Sequence, residues 1–452
     1  MATARAKRPS STGGSRATAS APAAAPFDRL RFLFPDHLGL ARGKYLPWRI
    51  AASGSSRNCI TLFALDYDRT MVPAPGAMLL EGNPDMELRY SLVDVRPSWE
   101  DERTGIVVAD AFFHDEPLQI APRTILRNAI DAWTSLGYAA KVGIELEAYV
   151  MEPDGNGGWR EWTTPSAYVY GTGRAVDPIG LIDEIMVTAE RVGLPIESMN
   201  SEYDTPQFEL TLRYDDALKA CDDVLLFKLM AREIAARHGL LLTFMGKPFS
   251  NKGGSGLHVN YSMVDRRGRN AFIDTKDGNG LSKLAYQSIA GCLAHHEAMA
   301  AICAPTVNAY KRLRPGQMSG YWANWAVDHR ACTVRVSAEG GPATRLEHRM
   351  PDGAANPYLA TAAVLTAARL GVVNGDVLPA AETLDGFEQT STDRHVAENL
   401  GMALRDLEAD TVFADAYGAA AVEHWLVVKR AEWDKFCAHT TDWELAHYLP
   451  FL

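Results

Sequence analysis

The stretch VGIELEAY at residues 142–149 alternates apolar and polar side chains over most of its length. Successive side chains of a β-strand point to opposite faces, so Glu145 and Glu147 share one face. Ile144, Leu146 and Ala148 occupy the other. The stretch therefore predicts a strand that packs an apolar face on a core and presents two carboxylates on its other face.

Four segments further along the chain repeat this alternation and carry functional groups on one face. Their polar positions are Gln207, Glu209 and Thr211; His258, Asn260 and Ser262; Arg345, Glu347 and Arg349; and Arg335 between two valines. Helical patterns occupy residues 124–136, 215–238 and about 357–370, each followed closely by a glycine or a turn. Strand-like and helical segments alternate, which predicts an α+β fold with a sheet backed by helices.

The types of residue on these polar faces indicate chemistry. A half-exposed antiparallel sheet with one solvated face would explain any single segment. These faces, however, contain no lysine and concentrate Glu, His and Arg. Several carboxylates with one histidine form the ligand set of Mg²⁺ or Mn²⁺, and arginine forks suit phosphate and carboxylate. The pattern therefore predicts a metal-dependent phosphoryl-transfer or phosphate-activating enzyme.

Composition and the chain termini exclude other classes of protein. The 452 residues include 45 basic and 56 acidic side chains, a net charge of −11, which argues against binding to nucleic acid or to an acidic membrane surface. No apolar run is long enough for a membrane helix, and we expect a cytoplasmic enzyme. Residues 1–26 are rich in Ala, Ser, Thr and Arg and predict a disordered tail. Short β-like pieces at 58–65, 86–95 and 104–111 predict a small N-terminal domain.

Six motifs, taken in order, resemble the glutamine synthetase family. They are GIELE (143–147), EYDTPQFE (202–209), KP (247–248) with GSGLH (254–258), NAYKRL (308–313), HR (329–330) with VRV (334–336), and RLEHRMPDGAANP (345–357). The resemblance runs from about residue 42 to the C-terminus. It implies a β-grasp domain at residues 27–118 and a catalytic domain with a curved antiparallel sheet at 119–452. It also implies a homo-oligomer, typically a dodecamer of two hexameric rings.

The same resemblance implies roles for individual residues and for ATP with two to three Mg²⁺ or Mn²⁺ ions. The ligands of the metal at the glutamate site would be Glu147, Glu202 and Glu209. The ligands of the metal on the nucleotide phosphates would be Glu145, His258 and Glu347. The groups that hold substrate carboxylates would be Arg312, Arg349 and the backbone of Gly253 and Gly254. The residues facing the transferred phosphoryl group would be Arg330, Arg335 and Arg345. The residues near the nucleotide would be Glu197, Asn260 and Ser262.

One departure from the family pattern concerns the second substrate. Glutamine synthetases carry a glutamate in a flap after the Lys-Arg-Leu motif, and this carboxylate helps to bind and deprotonate ammonium. Met318 stands at that position here, and no carboxylate occurs from Arg314 to Val327. A thioether is only a weak acceptor, so Met318 cannot hold an ammonium ion. The aromatic residues Tyr321, Trp322 and Trp325 would either widen an apolar amine pocket or simply pack in the core.

Other departures from the family pattern either also favour an amine larger than ammonia or make small changes to the polar groups of the site. The segment ALDYD (64–68) resembles the version found in γ-glutamyl–amine ligases, with Asp66 as a catalytic candidate beside Arg312 and Arg330. Asn260 replaces a second histidine, and Gly253 replaces an asparagine.

Three interpretations follow from these observations. The first is an ATP-dependent ligase that joins L-glutamate to a small amine through γ-glutamyl phosphate, releasing ADP and phosphate. The second is a true glutamine synthetase using ammonia. The third is a non-catalytic family member with a structural or regulatory role. Buried carboxylates are costly without a metal, so a chain that keeps all six ligand candidates favours an enzyme.

Overall fold

The computed structural model describes residues 26–337, 339–386 and 388–452. The predicted tail, residues 1–26, lies outside the described residues except for Pro26. The predicted α+β class is confirmed, since a large sheet carries helices on its apolar face and smaller sheets precede it.

The N-terminal region consists mainly of short strands in two four-stranded sheets, ordered β2-β1-β6-β5 and β3-β4-β7-β8. Its elements are β1 (Arg29–Pro35), β2 (Ala41–Pro47), α1 (Trp48–Ala51), β3 (Ser55–Cys59), β4 (Asp85–Arg89), β5 (Arg96–Pro97), β6 (Thr104–Val108), β7 (Asp110–Phe113) and β8 (Glu116–Pro117). Strands β1 and β6 are parallel, and the other pairs are antiparallel. The two sheets share one apolar cluster that includes Phe32 and Leu88.

The predicted strand at residues 58–65 is wrong over most of its length. Strand β3 ends at Cys59, and Ile60–Ala64 form a 3₁₀ turn. Within that turn Ile60, Phe63 and Ala64 are buried together. Their spacing is helical, so a single turn buries all three where a strand would expose some of them.

The second region is built on a nine-stranded sheet with the main order β11-β12-β9-β14-β17-β16-β15. Its strands are β9 (Tyr138–Pro153), β10 (Trp159–Glu161), β11 (Ile196–Ser201), β12 (Gln207–Asp216), β13 (Leu241–Thr243), β14 (Leu257–Asp265), β15 (Trp325–Val327), β16 (Val334–Val336) and β17 (Leu346–His348). Strands β10 and β13 also pair with β9, and only β15 and β16 run parallel among the described strands of this sheet.

The helices of this region are α2 (Pro122–Ser135), α3 (Leu181–Arg191), α4 (Ala217–Arg237), α5 (Lys283–Ala294), α6 (His296–Cys303), α7 (Pro357–Asn374), α8 (Leu400–Ala409), α9 (Thr411–Tyr417), α10 (Ala419–Cys437) and α11 (Asp442–Tyr448). Helices α2, α3, α4 and α7 contact the strands of the sheet. Ile144, Leu146 and Ala148 of β9 are fully or almost fully buried in the core, in which α2, α4 and α7 take part. The alternation predicted for residues 142–149 is therefore realised, and the opposite face is left for polar groups.

The predicted helices at 124–136, 215–238 and 357–370 correspond to α2, α4 and α7 with small shifts at their ends. Helix α4 ends where expected, because Gly239 adopts a left-handed φ of +71° that ordinary residues avoid. In the described part of the chain, none of the helices has the length and apolar character to cross a membrane.

Candidate active site

The strand register brings the predicted polar residues into one patch. On β9, Glu147 lies opposite Glu209 of β12, and Glu145 lies opposite His258 of β14. Two strands further along, Glu347 of β17 pairs with Asn260 of β14. Neighbouring strands therefore present four carboxylates and one imidazole on the same face of the sheet.

Glu145, His258 and Glu347 form a tight cluster in which one ligand atom from each lies within 4.8 Å of the others. The His258 Nδ1 atom is 3.4 Å from Glu145 Oε2 and 3.5 Å from Glu347 Oε1. His258 is only 3% exposed, and its Nε2 atom is buried without a hydrogen-bond partner among the described residues. Two carboxylates and the lone pair of an unprotonated imidazole nitrogen form a donor set that fits a hard divalent cation.

Three further carboxylates lie beside this cluster: Glu147 on β9, Glu202 in the turn before β12, and Glu209 on β12. They do not form a comparably tight group, since the first cluster is the only one of that compactness in the described residues. Glu147 accepts hydrogen bonds from the backbone N–H of Gly256 at 2.8 Å and from Gln207 Nε2 at 3.5 Å. The Glu202 backbone N–H donates to the Gln207 carbonyl at 2.8 Å.

The concentration of negative charge perturbs these groups. Burial raises the pKa of Glu209 to about 8, and the charges of Glu145 and Glu202 add to the rise. Burial and the charge of Glu147 also raise the pKa of Glu202. Glu145 behaves in the opposite way: burial opposes its ionisation, but the hydrogen bond and charge of His258 prevail and lower its pKa. Such a site would be stabilised by a cation held among the carboxylates.

Three arginines border the carboxylates. Arg335 donates to Glu347 Oε2 at 3.0 Å, and Arg349 donates to Glu347 Oε1. Arg345 donates to Asn260 Oδ1 at 3.3 Å, and Asn260 in turn donates to Glu145 Oε1 at 3.0 Å. These contacts place Arg335 and Arg345, two of the three residues predicted to face the phosphoryl group, next to the tight cluster together with Arg349.

Arg330 is exposed, and its charge acts to lower the pKa of Glu202 against the dominant effect of burial. With Arg335 and Arg349 already at Glu347, positive side chains flank both sets of carboxylates.

Arg312 lies beneath the patch and is only 4% exposed. Its guanidinium donates to the backbone carbonyls of Met350 at 2.9 Å and Arg349 at 3.1 Å. Gly256 separates it from His258: a Cβ atom on Gly256 would lie 2.7 Å from both Arg312 Nη2 and His258 Nε2. The glycine thus allows the arginine and the histidine to approach each other.

The family model for the glutamine synthetase catalytic domain matches residues 119–448. The chain belongs to the glutamine synthetase family. It is therefore an enzyme of the carbon–nitrogen ligase type, as predicted, and ATP and divalent metal belong to the chemistry of this family.

Relatives named for different enzyme activities are similar to this chain over most of their length. The chain is 34% identical over 438 residues to gamma-glutamylethanolamide synthetase GlnA4 of Streptomyces coelicolor, spanning 94% of this chain and 93% of the relative. It is 36% identical over 365 residues to glutamate–methylamine ligase of Methyloversatilis universalis, spanning 76% and 80%. It is 35% identical over 375 residues to glutamine synthetase of Clostridium saccharobutylicum, spanning 81% and 84%.

Solved structures of the glutamine synthetase family share the fold. A structure of GmaS without ligand superposes with a TM-score of 0.83 at 30% identity, covering 94% of this chain and 97% of that chain. A complex of GmaS with ADP superposes with a TM-score of 0.82 at 29% identity, with the same coverage.

Some predicted site residues lie apart from the carboxylate patch within this chain. Asp66 accepts hydrogen bonds from Lys435 at 3.1 Å and from the Thr70 backbone N–H at 2.7 Å. Glu197 is exposed on the edge strand β11, and Ser262 is half-buried on β14 opposite Lys141.

Met318 is 51% exposed in the loop before β15. Of the nearby aromatic residues, Tyr321 and Trp325 are buried in the core, where Trp325 donates to the Pro379 carbonyl at 2.9 Å. Tyr321 stacks on His395 with ring centroids 5.0 Å apart. For these two residues the structure favours core packing over a role in an amine pocket.

Tyr149 and Gln207, for which the sequence predicts no role beyond the place of Gln207 on the polar face, both contact the glycine loop at residues 253–256. Their signal was available in the alternation, because Tyr149 follows Glu147 by two residues and Gln207 precedes Glu209 by two.

Proposed function

We propose that this enzyme forms a γ-glutamyl amide from L-glutamate and an amine larger than ammonia, converting ATP to ADP and phosphate. Relatives named for ethanolamide and methylamine products or substrates support the amine, and the ADP complex of a similar structure supports the nucleotide. The clustered carboxylates and arginines support a reaction that needs neutralisation of phosphate charge.

The two sets of acidic residues would hold two to three Mg²⁺ or Mn²⁺ ions. Glu145, His258 and Glu347 would bind the ion at the nucleotide phosphates. Glu147, Glu202 and Glu209 would bind metal at the glutamate site. When bound, these ions would neutralise charge on the transferred phosphoryl group.

The side chains around them would position the reacting groups. Arg330, Arg335 and Arg345 would orient the phosphoryl oxygens, while Arg312 and Arg349 with the glycine loop would orient glutamate. Glu197, Asn260 and Ser262 would lie along the nucleotide. An oxygen of the glutamate γ-carboxylate attacks the γ-phosphorus, and the bond from that phosphorus to ADP breaks. The amine nitrogen then attacks the acyl carbon, loses a proton, and phosphate departs with the carboxylate oxygen.

The observation that carries the choice of amine is Met318, because no Asp or Glu occurs from Arg314 to Val327. Ammonium needs a carboxylate to be held and deprotonated, whereas an alkyl amine gains from apolar contact as well. A half-exposed thioether in this loop suits the second kind of substrate.

We further propose that the active form is a homo-oligomer, a double ring of twelve copies. Within its own chain Asp66 bonds to Lys435 and Thr70 and not to the carboxylate patch. A catalytic role for Asp66 would therefore be exerted at the site of a neighbouring copy.

A test of the proposed function is ADP formation with glutamate, Mg²⁺ and a panel of amines. The panel contains ethanolamine, methylamine, isopropylamine, a diamine, a polyamine, an aryl amine and ammonium. We expect an organic amine to give the highest kcat/KM, with the γ-glutamyl amide identified by mass spectrometry. Ammonium as the best nucleophile would instead establish the second candidate, a true glutamine synthetase, which the relative from Clostridium saccharobutylicum favours.

A further inference from the structure

A second rung of the sheet contacts the glycine loop at residues 253–256. Tyr149 on β9 lies directly opposite Gln207 on β12, one rung beyond the pair Glu147 and Glu209. Alternation places Tyr149 on the same face of β9 as Glu147, and Gln207 on the same face of β12 as Glu209. The rung therefore extends the row of acidic residues toward the loop.

Both members of this rung donate to the loop backbone. The Tyr149 hydroxyl donates to the Gly253 carbonyl at 2.9 Å. Gln207 Nε2 donates to the Gly254 carbonyl at 3.0 Å and to Ser255 Oγ at 3.2 Å. Two consecutive carbonyl groups of the loop are thus bonded to side chains that stand beside the carboxylates.

Three of the four backbone N–H groups of the loop are also bonded. Gly253 donates its N–H to Asp204 Oδ2, and Ser255 donates its N–H to the Gly246 carbonyl at 2.7 Å. Gly256 donates its N–H to Glu147 Oε2 at 2.8 Å. Glycine has the largest conformational freedom of any residue, so a loop with three glycines in four residues needs such bonds to keep one conformation.

Tyr149 is suited to hold the loop rigidly. Its side chain is fully buried, and its ring packs edge-on against Phe249 with centroids 5.2 Å apart. The hydroxyl is thereby fixed in position relative to Glu147, which precedes it by two residues on the strand. Gly253 has no side chain of its own that could anchor it, and a Cβ there would lie 3.2 Å from Asp204 Oδ2.

We propose that Tyr149, with its rung partner Gln207, is a positioning residue that fixes the Gly253–Gly254 backbone where it binds glutamate. This inference rests on the proposed function, in which that backbone helps to hold the substrate carboxylate. Tyr149 touches neither substrate nor phosphate; it acts through the loop.

The test is steady-state kinetics of Tyr149→Phe, which removes only the hydroxyl and keeps the ring against Phe249. Loss of one neutral hydrogen bond predicts a rise of about threefold to tenfold in KM for glutamate. We expect kcat, KM for ATP and the Mg²⁺ dependence to change by less than about twofold. The matched control is Tyr261→Phe, because Tyr261 is also buried but its hydroxyl contacts Cys292 Sγ at 3.5 Å in the core.

A second variant removes a different hydrogen bond to the same loop. Asp204→Ala removes the acceptor of the Gly253 N–H and is expected to raise KM for glutamate in the same way. In the double variant with Tyr149→Phe, the two effects should combine less than multiplicatively, because both act on one loop. Either single variant alone is sufficient for the test if the other does not fold.

The outcomes separate this inference from the proposed function. If the wild-type enzyme forms no glutamate-dependent ADP with any amine, the proposed function fails and the positioning role falls with it. If the wild type is active and Tyr149→Phe leaves KM for glutamate unchanged, only the positioning role is wrong. The same conclusion would follow if KM for glutamate and KM for ATP rose together, or if Tyr261→Phe gave an equal effect.

Discussion

Replacing Gly256 with alanine should damage the site through one added methyl group. The new Cβ would lie 2.7 Å from His258 Nε2 and 2.7 Å from Arg312 Nη2. Carbon and nitrogen atoms in ordinary contact are roughly 3.5 Å apart, so both neighbours would have to retreat by several tenths of an ångström. The imidazole is held in a buried ring position and the guanidinium by the Arg349 and Met350 carbonyls, so neither can swing away freely.

Overpacking of this kind costs about 1–3 kcal/mol. If this free energy is lost from metal binding because His258 is displaced, the affinity for metal should fall by about fivefold to 150-fold, since each 1.4 kcal/mol changes a dissociation constant tenfold. We therefore expect the Mn²⁺ or Mg²⁺ concentration for half-maximal ADP formation to rise by about that factor. Displacement of Arg312 should raise KM for glutamate in the same variant.

The assay is a metal titration of ADP formation at saturating glutamate and amine, with thermal unfolding measured in parallel. The matched control is Gly278→Ala, because a Cβ at Gly278 would meet nothing within 4 Å. If the metal dependence of Gly256→Ala equals that of Gly278→Ala, metal binding does not depend on the position of the His258 imidazole.

Three further changes test other parts of the site. Glu347→Ala should abolish turnover, because it removes one member of the tight cluster and the shared partner of Arg335 and Arg349. The control is Glu184→Ala, which removes a half-buried carboxylate that pairs with His238. Retained activity in Glu347→Ala would refute the metal assignment. Met318→Glu should raise the kcat/KM for ammonium relative to that for ethanolamine, and an unchanged ratio, or the same shift in Met402→Glu on the exposed side of α8, would remove Met318 from the amine site. Without metal, the melting temperature of the wild type should fall relative to that of Glu209→Gln as pH rises from about 4.5 to about 8, because the raised pKa of Glu209 lets the folded protein keep a proton that the unfolded chain has lost. Added Mn²⁺ should reduce that fall, and an equal slope with and without metal would show that Glu209 is not at a metal site.

The period of two in a strand made the acidic face of β9 predictable. Glu145 and Glu147 alternate with buried residues over a short distance, so local sequence was enough. The partners of these residues across the sheet were not predictable in the same way. That Glu347, on a strand of three residues, joins Glu145 depends on the long-range pairing of β14 with β17.

Burial also limited what the sequence could predict. The motif of Arg312 did not predict that its guanidinium is buried and donates to the backbone carbonyls of Arg349 and Met350. The alternation places Tyr149 and Gln207 on the same strand faces as Glu147 and Glu209, but their contacts with the glycine loop depend on long-range packing that the sequence does not show. The 3₁₀ turn at Ile60–Ala64 was missed because a short apolar run is compatible with either a strand or a turn.

In the proposed reaction, the γ-carboxylate of glutamate is activated by transfer of a phosphoryl group and then joined to an amine. Glutamate carrying ¹⁸O in the γ-carboxylate, supplied with ATP, Mg²⁺ and the preferred amine, tests this reaction. We expect a γ-glutamyl amide and inorganic phosphate that contains one ¹⁸O atom for each amide formed. Amide formation with unlabelled phosphate, or release of phosphate without any amide, would refute the reaction.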